Sequence, residues 1–278
     1  MFRLIRKELL TSLFVVSITV STFSITLAQE TAPKADLDYQ IGGVLYTQRA
    51  AEYRALAFQA YNLARLRLDA DLDKRNIKKL PKEERKRPRA IIVDIDETVL
   101  DNSPANANGI KTGRSFNTKD WYAWGEMRKA KAVPGAVDFL NYAVSKGVKI
   151  FYISNRDEVQ KTATIDNLQK AGFRDVRADN VMLREKESSK DPRRDAVAAK
   201  YRVVMLIGDN LDDFTGLFER KSTAVRYAET EKAHDEWGRK FIVLPNAMYG
   251  TWENAIYEYQ RLTEAQKAEK RAAALELP

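Results

Sequence analysis

Apolar positions recur at helical spacing between residues 47 and 72, at Ala51, Ala55, Phe58, Tyr61, Leu63, Leu66 and Leu68. The pattern predicts one long amphipathic helix. A charged stretch, 78–89, leads from it into a short apolar run, 90–93, that ends abruptly in acidic residues. A run of this kind predicts a buried strand of a parallel sheet. Strand and helix patterns then alternate. Helices are predicted over 133–145, 158–171 and 191–200; Gly147 and Gly172 close the first two, and Pro192 sits in the first turn of the third. Strands are predicted over 148–153, 180–183, 203–207 and 241–244, and a terminal helix over 252–267. Repeated βα units of this sort predict an α/β fold with a parallel sheet. Ligands on such sheets bind beyond the carboxyl ends of the strands, so the residues at those ends are the candidates for chemistry.

The first 28 residues follow a different pattern. Arg3, Arg6 and Lys7 make a basic start, an apolar stretch with interspersed Ser and Thr covers 9–28, and Thr26, Leu27 and Ala28 close it. This predicts a secretory signal peptide cleaved after Ala28, leaving 29–278 as a periplasmic or secreted protein. The stretch is also nearly long enough to serve as an uncleaved anchor. Its hydroxyl residues and the polar linker over 29–36 favour cleavage, and no later segment has the pattern of a membrane span.

Composition narrows the chemistry. A hydrophobic content of 44% over 278 residues suffices for one core with an insertion, or for two small domains. The formal net charge is +8; loss of residues 1–28 removes three basic residues and one acid, leaving +6. No RNA- or DNA-binding motif accompanies this charge, so it reads as a solvated face. The absence of cysteine excludes thiolate metal sites, cysteine nucleophiles and N-terminal lipidation. A single histidine, His234, excludes histidine-nucleophile phosphatases and zinc sites with several histidines. Carboxylates, hydroxyls and amines remain.

Four strand ends carry such groups. IIVDIDETVLDNSP (91–104) places Asp94 and Asp96 one residue apart, close enough to converge on one ligand. Two carboxylates this near raise each other's pKa unless a cation intervenes, and Mg²⁺ is a hard cation suited to oxygen ligands. One carboxylate could then act as nucleophile and the other as general acid and base. VKIFYISNR (148–156) ends a strand in the hydroxyl of Ser154, followed by Asn155 and Arg156; a hydroxyl and backbone N–H groups at a helix start cradle phosphate oxygens, so Ser154 and Asn155 are the candidates. KESSKDPRR (186–194) puts Lys186 and Lys190 before a helix, either of which could neutralise phosphate; Lys190 is the nearer to the helix. VVMLIGDNLDDF (203–214) follows a strand with Gly208 and the acids Asp209, Asp212 and Asp213, which could complete a cation site. Taken alone, the aspartates and Ser154 fit helix N-capping and the lysines fit a solvated basic loop. Their succession, DxDxT, then SN, then Lys, then GDxxxD, favours the functional reading over independent caps.

The succession resembles the haloacid dehalogenase (HAD) superfamily of phosphohydrolases. More narrowly, the chain is similar to the bacterial class C acid phosphatases, also described as lipoprotein 5′-nucleotidases. EYRALAFQAYNLA (52–64), DETVLDNSP (96–104), KDWYAW (119–124), AVPGAV (132–137), GDNLDDF (208–214) and FIVLPNAMYGTWE (241–253) carry this narrower likeness. The resemblance implies a Rossmann-like parallel sheet flanked by helices, with a small cap insertion over about 102–132 and an N-terminal helical extension. It implies Asp94 as nucleophile and Asp96 as acid and base. It implies Mg²⁺ held by the Asp94 side chain, the Asp96 carbonyl and Asp209, with Asp213 nearby, and phosphate held by Ser154 and Lys190. Lipoprotein members have a cysteine at the end of the leader, which this chain lacks.

The insert contains Phe116, Trp121, Tyr122 and Trp124. Aromatics at this density either pack together or stack a planar ligand. In a family that takes nucleoside monophosphates, Trp121 is the choice for stacking, with Tyr249 from the 241–253 segment; the others are expected to pack. The sequence-based reading is thus an exported phosphomonoesterase acting on small phosphomonoesters, with nucleoside 5′-monophosphates as the expected substrates, no nucleic-acid polymer as partner and homo-oligomer formation left open. The competing readings are a general acid phosphatase for aromatic or sugar phosphates, and a surface protein that binds nucleotide or haem without turnover. The lone His234, in a charged stretch, argues against haem, and two retained aspartates argue for turnover.

Overall fold

The computed structural model describes residues 36–278, and the leader expected over 1–28 lies outside them. Strands are β1 (Arg89–Val93), β2 (Leu100–Asp101), β3 (Lys131–Ala132), β4 (Lys149–Asp157), β5 (Val181–Arg184), β6 (Arg202–Gly208) and β7 (Phe241–Val243). Helices are α1 (Ile41–Arg49), α2 (Ala51–Leu72), α3 (Lys74–Ile77), α4 (Lys82–Lys86), α5 (Ser103–Thr112), α6 (Thr118–Met127), α7 (Ala136–Ser145), α8 (Lys161–Lys170), α9 (Asp191–Lys200), α10 (Thr223–Lys232), α11 (Thr251–Ile256) and α12 (Glu264–Ala273). Among the described residues no helix is long and apolar enough to cross a membrane.

The main sheet has the order β5-β4-β1-β6-β7, and every pairing in it is parallel. Its central strand is covered on both faces. Ile91 and Val93 pack with α2, α7 and α8 through Tyr61, Ala64, Leu68, Phe139, Leu140 and Leu168. Ala90 and Ile92 pack the other way, with Val197 of α9 and Phe214. Burial on both sides is why residues 90–93 are an unbroken apolar run rather than an alternating one. Each such fully buried aliphatic side chain contributes roughly 1.5–3 kcal/mol. The layered α/β architecture matches the fold expected from the strand and helix alternation.

Between β2 and β3, which pair antiparallel as Leu100↔Ala132 and Asp101↔Lys131, helices α5 and α6 form the cap. Helix α5 packs against α1, so the N-terminal extension braces the insertion.

Several elements differ from the sequence pattern. The expected helix over 47–72 is broken at Ala50, whose backbone is extended, and α1 precedes the break. Helix α2 buries Tyr53, Ala57, Ala60, Tyr61, Ala64 and Leu68, while Phe58 and Leu66 are exposed. Alanines let the helix axis approach the sheet closely, so the stripe of small residues packs in preference to larger apolar ones. The expected helix over 252–267 is two helices. Glu258 and Tyr259 adopt left-handed φ of 53° and 57° after α11, and a capping box between Thr263 and Gln266 starts α12. Helices α3, α4, α5, α6 and α10 have no expected counterpart; in α10 the buried residue is Arg226, so it carries no apolar stripe to read.

Candidate active site

The backbone N–H of Asp94 donates to the Ile207 carbonyl at 2.9 Å, carrying the β1–β6 ladder one residue past the strand. The Asp94 side chain is thereby held, buried, between the ends of the two central strands. Lys190, just before α9 and equally buried, donates from Nζ to Asp94 Oδ1 and, at 2.6 Å, to Asp213 Oδ1. Asp213 closes the tight loop after β6, where its second oxygen accepts from the Asn210 N–H at 3.0 Å. That loop needs Gly208: a Cβ there would lie 2.4–2.8 Å from the Asp213 side chain. Arg194, buried on α9, clamps the loop by donating to the Asp212 and Asp213 carbonyls at 2.9 and 3.0 Å. Asp209 accepts from Thr98 Oγ1 at 2.9 Å and from Asn246 Nδ2 at 2.8 Å. Thr98 is held in turn by α2, whose Tyr61 hydroxyl donates to its carbonyl at 2.7 Å.

One carboxylate oxygen each from Asp94, Asp209 and Asp213 lies within 4.8 Å of the others. Lys190 alone does not balance this charge. Burial, with Asp213 next, pushes Asp209 up to about 7 from an ordinary 3.8. Burial also pushes Asp94 well above the carboxylate range, opposed by Lys190 and reinforced by Asp213 and Asp209. Burial alone would lower Lys190, but Asp213 and Asp94 hold it above its ordinary value and keep it charged. An all-oxygen donor set with excess negative charge fits a hard divalent cation, which would let the three acids ionise together.

Asp96, two residues on, stands in different surroundings. Arg156 donates to Asp96 Oδ1 from Nε at 2.9 Å and from Nη2 at 2.7 Å. Ser154 Oγ donates to Asp96 Oδ2 at 3.1 Å, and Asn102 Nδ2 donates to Oδ1 at 2.8 Å. Between them Glu97 takes a left-handed φ of 60° and is buried. Its carboxylate accepts from the Asn102 N–H at 2.7 Å and from the Tyr249 hydroxyl. Burial, then the charges of Asp96 and Asp209, raises its pKa well above the ordinary value. Trp121 of the cap covers this side, with the Arg156 guanidinium 5.3 Å from its ring centre.

A buried aspartate beside a lysine, an acid cluster and a second, separately held aspartate thus stand together at the strand ends. The family model for the HAD superfamily, subfamily IIIB (acid phosphatase), matches residues 6–252. The chain belongs to this family. Among solved structures it is similar to the class C acid phosphatase from Bacillus anthracis, with 40% identity and a TM-score of 0.80, covering 87% of this chain and 98% of that one. The same Bacillus enzyme with tungstate bound matches at 41% identity and a TM-score of 0.80, with the same coverage. Acid phosphatase 1 of Solanum lycopersicum is 28% identical over 131 residues, 45% of this chain and 51% of the relative. The chain thus spans about half the length of that curated relative.

Within this family member the candidates at the strand ends fall into two sets: Lys190 bonded to Asp94 and Asp213, with Asp209 close to both acids, and Ser154 bonded to Asp96. Lys186 is exposed in the loop before α9. Asn155 is exposed on the alternate side of β4, where its Oδ1 accepts from Arg193 at 2.6 Å. Trp121 is half-buried against Arg156, and Tyr249 half-buried on Glu97. Of the aromatics expected to pack, Trp124 does so, and the Tyr122 hydroxyl donates to Asp157 at 2.6 Å. Phe116 does not: it is 80% exposed beside Trp121.

Arg156, Asn102, Glu97 and Asn246 went unassigned in the sequence. Arg156 is brought in because β4 runs on past Ser154, beyond the end expected at 153, so the residue two further points the same way. The others are brought in by loops and carry no such periodicity.

Proposed function

We propose that this chain is an exported, Mg²⁺-dependent phosphomonoesterase that favours nucleoside 5′-monophosphates and attacks phosphorus with Asp94. The observation that carries the reading is Asp94 paired with Lys190 inside a carboxylate cluster at the end of the central strand. Phosphoryl transfer needs an in-line nucleophile and positive charge around the equatorial oxygens. Lys190 supplies one charge, and Ser154 a hydroxyl. Asp94, Asp209 and Asp213 would hold Mg²⁺, with the Asp96 carbonyl as the resemblance implies, and the cation would draw charge from the phosphoryl oxygens. An Asp94 oxygen attacks phosphorus as the bond to the leaving oxygen breaks, and Asp96 protonates that oxygen. Water then hydrolyses the aspartyl-phosphate, and Asp96 takes the proton back, returning both carboxylates to their starting state. Tungstate, a tetrahedral oxyanion like phosphate, bound to the similar Bacillus protein supports an oxyanion site in this fold. Trp121 on Arg156 and Tyr249 on Glu97 both adjoin the Asp96 side, which supports base stacking next to the reacting phosphate. Export rests on the leader pattern ending at Ala28, and the mass of the mature N-terminus tests it.

Phosphate release from AMP, p-nitrophenyl phosphate and glycerol phosphate, with Mg²⁺ and with chelator, tests the rest. The expected order of kcat/KM is AMP first, and chelation should abolish release. Full activity after exhaustive chelation overturns the metal, and preference for p-nitrophenyl phosphate makes the chain a general acid phosphatase. Nucleotide binding without phosphate release makes it a binding protein.

A further inference from the structure

Asn102 is fully buried where β2 enters the cap, and its side chain is bonded at both ends. Nδ2 donates to Asp96 Oδ1 at 2.8 Å, while Oδ1 accepts from Trp124 Nε1 at 2.8 Å and from Arg156 Nη2 at 3.4 Å. A carboxamide has one donating and one accepting end, whereas an indole N–H and a guanidinium only donate. The amide oxygen must therefore face Trp124 and Arg156, which leaves the NH₂ group to face Asp96. Reversed, the amide would set N–H against N–H on one side and a carbonyl against a carboxylate on the other.

Trp124 belongs to α6, the helix that also lays Trp121 against Arg156. One cap helix thus touches both groups that grip Asp96 Oδ1. Its backbone attachment is firm as well, since the Asn102 N–H donates to Glu97, whose other oxygen holds Tyr249.

We infer that Trp124 and Asn102 are positioning residues for Asp96, so that the cap serves proton transfer as well as substrate recognition. The inference rests on the reading of Asp96 as acid and base. Its basis is directional: Trp124 determines which end of Asn102 reaches Asp96, and the Asn102 donor determines where the Asp96 carboxyl points. Neither residue needs to touch substrate for this.

The test compares an aryl phosphate, whose leaving group needs no early proton, with an alkyl phosphate, whose leaving group does. Trp124→Phe keeps the ring and loses only the N–H. It should lower kcat on the alkyl phosphate about fivefold, as loss of one buried hydrogen bond would, and leave KM and the aryl rate nearly unchanged. Asn102→Ala should act in the same direction and more strongly. Added to Asp96→Asn, Trp124→Phe should cost nothing further, because the group it positions is gone. Equal losses on both substrates, or losses that persist in the Asp96→Asn background, would mean the pair is merely structural and would overturn the inference. Asp96→Asn alone identifies a different failure: if it does not separate the two substrates, the acid-base reading falls and takes this inference with it. If it separates them and Trp124→Phe does not, only the positioning role falls. Trp124→Phe decides the matter even if Asn102→Ala does not fold.

Discussion

Asp94 and Asp96 stand one residue apart at the end of the same strand, yet they occupy opposite electrostatic environments. Around Asp94 the acids outnumber the bases: Asp209 and Asp213 close in, and Lys190 is the single cation bonded to the group. Around Asp96 every contact is a donor, from Arg156, Ser154 and Asn102. The first half is short of positive charge and suits a divalent cation and a phosphoryl group. The second half is already balanced and holds one carboxyl in one orientation. The chain turns straight after Asp96, at Glu97 with its left-handed backbone. Two aspartates thus acquire two environments from neighbours rather than from their own chemistry.

The comparison breaks most visibly at Asp94. Asp94→Asn should abolish turnover while retaining substrate binding, measured by nucleotide titration, and a beryllium fluoride adduct should be lost with it. Turnover in the variant would show that water attacks phosphorus directly. On the other side, Asp96→Asn should cost about 10²- to 10⁴-fold on an alkyl phosphate, with a much smaller loss on an aryl phosphate. Steady-state kinetics on the two substrates measures this, and an equal loss would erase the distinction between the halves.

Smaller effects sharpen the contrast. Trp121→Ala or Tyr249→Ala should raise KM for nucleoside monophosphates by about 1–3 kcal/mol of binding and barely change KM for a phosphate without a ring. Equal changes on both substrates would make these aromatics structural. The least effect is expected in stability. Asp209 is held near 7 against an ordinary 3.8, so the folded state binds its proton more tightly than the unfolded state. The stabilising contribution is present below the ordinary value and is lost as pH rises through about 7. In chelator, Asp209→Asn should therefore gain a few degrees of Tm over the wild type as pH rises from about 4 to about 8. Thermal melts across that range check it. Saturating Mg²⁺ should reverse the order, because the cation then rewards the ionised acid.

The candidate site was legible to different depths in the sequence. Asp94, Asp96, Asp209 and Asp213 could be picked out because each follows an apolar run that is recognisable as a buried strand. Lys190 and Lys186 could not be separated by spacing alone; the turn of chain before α9 buries one and exposes the other. Asn155 looked equivalent to Ser154, but β4 continues to Asp157, so alternation points them to opposite sides. Asn102, Glu97 and Asn246 gave no signal, since their partners come from loops distant in sequence.

The sequence by itself determined the five strands of the main sheet, the helices α2, α7, α8 and α9 that flank it, and the acids at the strand ends. Those features depend on local periodicity and on runs of apolar residues, which neighbours along the chain suffice to define. Only the tertiary structure decided which face of α2 is buried, where the terminal helix breaks, and how each aspartate is surrounded. A helix face is chosen by how closely its small residues let it approach the sheet. A carboxylate's role is chosen by whether Lys190 or Arg156 reaches it, and those two residues arrive from different strands and helices. Both are consequences of packing in three dimensions, which local spacing along the chain does not encode.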